Sequence, residues 1–346
     1  MLALRCDGRD ATAGMLARVT GPPPAASPQE GLGDETGGPV SLTVTVDTGE
    51  RLHVLDWGSP GAAAGEEARP AAPGILLLHG LQGTAWNWAP VARRLAEHAH
   101  VLAPDLRGHG LSESPRTGYE LDSLAFDVLT VASAAGYGAD IGGPPLALVG
   151  HGLGALVAGT AARLRPASVG SLALVDGGWE TMLEATGMDA DELLRSLADP
   201  PEVLASMAAY LADRRDYDPL TWDADQERAA RAAVDEKYQG RVVPVVRRYA
   251  LAALVRAMYD YRPEDVFGVV AAPLLVLVAE AGGADDEAAR ERRLALDDEL
   301  RTRRAAGLAE PRVVRFAGVG HNLMRYRPAE LARELATLVD PGGGVG

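Results

Sequence analysis

Hydrophobic positions in this chain come in two periods that alternate along it. Ser41–Val46 (SLTVTV) and Arg51–Trp57 (RLHVLDW) alternate apolar and polar residues, with Asp47-Thr48-Gly49-Glu50 between them. That pattern predicts a β-hairpin. Later runs are largely apolar: Ile75–Leu78, Val101–Ala103, Leu146–Val149, Ser171–Val175 and Pro273–Val278, with the more mixed Arg312–Phe316 (RVVRF) as the last strand. Such runs mark strands buried on both faces, as in a parallel sheet. Helical stretches lie between them, over Trp86–Glu97, Leu121–Ala135, Ala155–Ala162, Asp285–Ala306 and Pro328–Leu338. Alternating strands and helices predict a mostly parallel, eight-stranded sheet covered by helices on both faces. From Glu180 to Asp265 no strand run appears. Leu251, Leu254, Val255 and Met258 fall on one helical face there, so 179–265 is read as a helical insertion after the sixth strand. Residues 1–39 are rich in Pro, Gly, Ala and acid with no hydrophobic period, and read as a disordered extension. The core is then 40–178 and 266–340.

The stretch Leu146–Gly154, LALVGHGLG, is the most informative. A strand ends in a glycine cluster and a helix follows, giving the frame G-x-?-x-G with Gly150 and Gly154 flanking position 152. This is the frame of a nucleophile elbow, where strand and helix approach too closely for larger side chains and the apex sits at positive φ. Enzymes with this frame carry Ser, Cys or Asp at the apex. Here the apex is Gly152. Alone the motif is weak, because glycine-rich turns also bind phosphate or simply turn.

Composition narrows the field. The 346 residues are 47% hydrophobic and 23% charged, enough for a substantial core. A net charge of −15 disfavours nucleic acid and anionic membrane surfaces as partners. The single cysteine, Cys6, allows neither an intrachain disulfide nor a thiolate metal site. No continuous apolar span reaches membrane length and no signal core is evident, so a cytoplasmic setting is the expectation. No metal and no cofactor is expected.

Four landmarks stand in order: HGLQGT at 79–84, PDLRGHGLS at 104–112, LVGHGLG at 148–154 and VGHN at 319–322. Together they resemble the α/β-hydrolase superfamily, of the lid-bearing esterase, epoxide-hydrolase and C–C-hydrolase type, over about residues 41–340. The resemblance implies an α/β-hydrolase fold in which 179–265 is a lid. It implies an oxyanion hole built from the backbone N–H groups of Leu81 and Leu153. Such donors stabilise a developing negative charge by ~3–4 kcal/mol each. It places the catalytic histidine at His321, a general base that needs an acid to fix its tautomer. The acid usually follows the seventh strand in a G-E-x-D-like pattern, a position that falls on Gly282 here. Asp176, after the sixth strand, is the first candidate, with Glu280 and Asp285 as alternatives. Gln82, Trp86 and Trp179 are candidates for lining a cavity between lid and sheet. His53, His109, Ser112 and His151 are read as structural, and the charge runs 223–227 and 290–293 as solvated helix faces.

Two functions follow. One is an enzyme acting on a small, largely apolar ester, lactone or ketone without a serine nucleophile, Gly152 leaving room for a water that His321 activates. The other is a catalytically silent protein that binds a small molecule or a partner, as in the N-myc downstream-regulated family, which keeps the fold without the triad. Oligomeric state is not legible.

Overall fold

A computed structural model describes residues 19–20, 38–58, 72–199, 203–281 and 287–339. Nine strands form one sheet in the order β1-β2-β3-β5-β4-β6-β7-β10-β11. They are β1 (Val19–Thr20), β2 (Val40–Thr45), β3 (Arg51–Asp56), β4 (Gly74–Leu78), β5 (His100–Pro104), β6 (Leu146–His151), β7 (Val169–Val175), β10 (Leu274–Glu280) and β11 (Arg312–Ala317). Eight of these are the strands read from the sequence, and the two-residue β1 adds a ninth at the edge. Pairing is parallel from β5 through β11 and antiparallel among β1, β2, β3 and β5.

Alternation along the buried strands divides the core. Leu76, Leu78, Leu148, Leu172, Leu174, Val276 and Val278 point to one face, against helices Leu121–Ala134 and Leu153–Leu164. Ile75, Leu77, Val149, Ala173, Val175, Leu275 and Leu277 point to the other, against helices Ala89–Leu95 and Pro328–Ala336. A period of two on both faces is what a strand buried on both sides requires. Because β4, β5, β6, β7, β10 and β11 are parallel, their carboxyl ends share one edge of the sheet. In open α/β sheets that edge carries the ligand crevice.

Between β7 and β10 the chain leaves the sheet. Helices Met182–Thr186, Ala190–Ser196, Met207–Tyr217, Ala224–Ala232 and Arg248–Tyr259 fill this insert. Thr181 with Glu184, and Asp189 with Glu192, form reciprocal caps that start the first two. One feature corrects the purely helical reading. Strands β8 (Val234–Glu236) and β9 (Val242–Pro244) pair as an antiparallel hairpin. Three residues per strand are too few to show a period of two. Among the described residues no helix is long and apolar enough to cross a membrane.

Candidate active site

The turn between β6 and helix Leu153–Leu164 is set by glycine. A Cβ on Gly150 would meet the Gly154 carbonyl oxygen at 2.0 Å, and one on Gly154 would meet the Leu78 carbonyl oxygen at 2.3 Å. Only glycine allows that approach. Gly152 itself sits at φ +51°, at the carboxyl end of β6. A Cβ built there would lie 3.3 Å from His321 Nε2.

His321 follows β11 and is fixed at two points. Its Nδ1–H donates to Asp176 Oδ2 at 2.7 Å, and its carbonyl oxygen accepts from His151 Nε2–H at 3.0 Å. The His151 and His321 rings lie 4.2 Å apart. With Nδ1 committed to a carboxylate, His321 Nε2 keeps its lone pair, and it faces Gly152. Burial, and then the neighbouring His321 ring, push the His151 imidazole down to about 3, so it stays neutral.

Asp176 ends β7 at φ +46°, a conformation that Asp tolerates better than most residues. Its side chain is buried. Oδ1 accepts from Ala279 N–H at 2.8 Å and from Arg292 Nη2 at 3.1 Å, leaving Oδ2 to His321. Burial pushes its carboxyl up, but the His321 bond, the Arg292 charge and the Ala279 amide outweigh that and hold it below its ordinary value. Arg292, on helix Glu287–Ala305, also donates Nε–H to both Glu180 oxygens, at 2.9 and 3.2 Å, and lies over the Trp179 ring at 5.2 Å. Burial pushes the Glu180 carboxyl up even with Arg292 beside it.

These groups open on a cavity of about 640 Å³. Leu81, Gly152, Leu153, His321 and Arg292 lie on its sheet side, while Met182, Leu193, Leu197 and Met258 of the insert supply apolar walls. Leu81 and Leu153 both line the cavity, and among the described residues neither backbone N–H makes a hydrogen bond.

The other residues singled out from the sequence fall elsewhere. Glu280 is ion-paired with Arg315 at 2.9 Å rather than with His321. Asp285 lies outside the described residues. Trp86 does not line the cavity: it packs edge-on against Trp57 with centroids 6.4 Å apart and under Arg228, which claim its ring. Trp179 is buried beneath Arg292 and supports the wall from behind. Gln82 lines an adjoining cavity. Arg292, read from the sequence as part of a solvated face, is the residue that reading missed. Its one signal was the buried acid pair Asp176 and Glu180, which needs a cation.

A Ser–His–Asp chain lies elsewhere in the fold: Ser41 Oγ–H donates to His53 Nε2 at 2.7 Å, and His53 Nδ1–H to Asp105 Oδ2 at 2.8 Å. It ties β2 and β3 to the loop after β5 and shares no residue with the cavity. Asp105 also accepts from the amides of Ala85 and Leu111, as a loop anchor does.

Residues 75–334 match the family model described as Alpha/beta hydrolase family. The chain belongs to the α/β hydrolase family. It is 31% identical to 2-(acetamidomethylene)succinate hydrolase of Mesorhizobium japonicum over 214 residues, 60% of this chain and 71% of that protein. It is 35% identical to epoxide hydrolase A of Mycobacterium tuberculosis over 132 residues, 37% of this chain and 36% of that protein. The match thus spans about a third of that protein's length. The solved structure of E-2-(acetamidomethylene)succinate hydrolase superposes with a TM-score of 0.68 at 24% identity, over 87% of this chain and 99% of that one. A thioesterase domain from the curacin biosynthetic pathway superposes at 0.60 and 21% identity, over 86% and 98%. At these identities the structures share the α/β hydrolase fold.

Proposed function

We propose that this α/β hydrolase cleaves a small, largely apolar ester, lactone or ketone by attack of water, with His321 as general base and no side-chain nucleophile. The observation that carries the reading is the position of His321 Nε2, 3.3 Å from where a Cβ on Gly152 would stand, with Nδ1 held by Asp176. The space of a nucleophile's side chain is left to solvent beside a poised base.

In this reading the water occupies the space over Gly152. His321 Nε2 takes a proton as the water oxygen bonds to the substrate carbonyl carbon. The carbonyl π pair moves onto its oxygen, which the Leu81 and Leu153 N–H groups receive. Asp176 fixes the tautomer of the neutral His321 imidazole and stabilises the imidazolium that forms. Collapse of the intermediate breaks the bond to the leaving group, which takes its proton from His321. General-base assistance is worth about 10²–10⁴-fold and each oxyanion donor ~3–4 kcal/mol. The insert acts as a lid whose apolar side chains cover the reacting centre.

The test is hydrolysis of short-chain aryl esters by wild type, His321→Ala and Asp176→Asn. Turnover lost in both variants while folding is retained supports the mechanism. Gly152 itself favours a second reading, a silent binding protein. Ligand binding by all three proteins without turnover by any would establish it.

A further inference from the structure

A second cavity of about 460 Å³ adjoins the first, and three residues line both: Leu81, Leu197 and Asn322. One of the three, Leu81, supplies an oxyanion N–H in the proposed reaction, and another, Asn322, directly follows the base His321 in the chain. A carbonyl reacting there stands at the neck between the chambers, so the two halves of the molecule occupy different rooms.

The rooms differ in chemistry. The larger one has the aliphatic walls already described. The smaller one is lined by the amides Gln82, Asn87 and Gln226 and the rings of Tyr210, Tyr217 and Trp222. The Gln82 and Gln226 backbones make hydrogen bonds, but neither side-chain amide has a protein partner among the described residues. The Asn87 Oδ1 accepts from Thr84 N–H at 2.7 Å, which leaves its two amide hydrogens. The lining holds two acids and two arginines, which balance in charge. Arg214 pairs with Asp199 and lies 3.7 Å from Asp213, and Arg325 donates to Thr221 Oγ1 at 2.6 Å and to the Asp218 carbonyl at 2.7 Å. Unspent neutral amides beside aromatic faces, in a chamber whose charges balance, suit a hydroxyl-bearing, uncharged group. They match a simple alkyl group or a cation less well.

Building on the proposed reaction, we infer that the substrate is bipartite: an aliphatic acyl arm in the larger chamber, joined at the neck to a neutral, hydroxylated leaving group in the smaller. Gln226 and Gln82 then set leaving-group specificity.

The experiment uses esters with one acyl arm. Propyl butyrate and 1-monobutyrin differ only by two hydroxyls on the leaving group, and butyrylcholine tests a cation. Wild type should favour monobutyrin over propyl butyrate by about tenfold in kcat/KM, as hydrogen-bonded hydroxyls are discriminated. Butyrylcholine should fare no better than propyl butyrate. Gln226→Leu, or Gln226→Met if the first does not fold, should bring the monobutyrin-to-propyl ratio towards one. In parallel, calorimetry compares N-(2,3-dihydroxypropyl)butanamide with N-propylbutanamide on wild type and the Gln226 variant. A Gln226-dependent preference for the dihydroxy amide without ester turnover sinks the catalytic reading and leaves this inference standing. No preference for the hydroxylated member, in turnover or in binding, overturns it, as does a preference that the Gln226 variant keeps.

Discussion

Arg292 holds the carboxylate oxygen of Asp176 that His321 does not use, at 3.1 Å. The same guanidinium pairs with Glu180, so two buried acids share one cation. Arg292→Met leaves both carboxylates without it. Breaking a buried pair costs about 3–5 kcal/mol, and partial exposure of Arg292 reduces that to ~2–4 kcal/mol. Urea unfolding at pH 7.5 should show the loss, and Glu180→Gln added to Arg292→Met should recover part of it. The Glu180 carboxyl is already pushed up by burial. Without Arg292 it binds a proton more readily folded than unfolded, so the deficit should narrow as pH falls towards 5. A deficit that widens on acidification refutes the assignment.

Gly152→Ser should convert the site into a labelled serine hydrolase. The new Cβ has His321 Nε2 at 3.3 Å and Gly80 Cα at 3.7 Å as its nearest neighbours, so the side chain fits with a small adjustment of the ring. Strain at φ +51° costs of order 1–3 kcal/mol, which urea unfolding can read. Wild type should resist a fluorophosphonate probe, Gly152→Ser should take it up, and Gly152→Ser with His321→Ala should not. Labelling of wild type contradicts the mechanism, and Ser41 is the first serine to check.

Three buried histidines should make stability fall with acid. Burial pushes His109 and His151 down to about 3 and lowers His79 as well. Each is neutral in the fold, whereas in the unfolded chain it takes up a proton near 6.5. The unfolded state therefore binds more protons below that pH. Stability is lost as pH falls through about 6.5, by ~1–2 kcal/mol at pH 5 for each of His109 and His151, with His79 acting in the same direction. Glu180, and Glu299 pushed up to about 7 by burial, act in the opposite sense. The histidine share is isolated by His109→Gln, which can still accept from Gln82 N–H and donate to the Arg107 carbonyl. Its urea midpoint should depend less on pH between 7.5 and 5 than that of wild type.

Arg303 is 1% exposed and donates to the carbonyls of Ala309, Val270 and Ala272. It anchors the loop entering β10 and the one leaving helix Glu287–Ala305. Arg303→Met fills the space but leaves three carbonyls short of donors. At 1–3 kcal/mol for a buried unsatisfied group, partly relieved by water, the expected loss is about 2–4 kcal/mol. Thermal denaturation measures it, and an unchanged midpoint would show that the loops hold without the arginine.

What the sequence revealed followed from how local the physics was. The sheet strands announce themselves through largely apolar runs, and the β6 turn through glycines that steric contact demands. His321 sits in a short loop beside the last strand, within reach of a motif. Arg292 was hidden because its partner Asp176 is 116 positions away and its own neighbours are charged. A periodic charged face gives no sign that one of its members turns inward. Trp86 misled for the opposite reason: an aromatic between two motifs looks like a cavity wall, yet Trp57, across the fold, claims its ring. The β8–β9 hairpin was too short for its pattern to register.

His321 and Asp176 are 145 positions apart, with the entire insert between them. During synthesis β6, β7 and the insert emerge well before β11 does. Loop closure over such a span is slow and must precede its reward. A ribosome-bound chain can thus shape the apolar pocket while the base still lies in the exit tunnel. Chains that stop short of residue 321 would lack the proposed base and part of the cavity wall, so the site is complete only once the last sheet strand has been made.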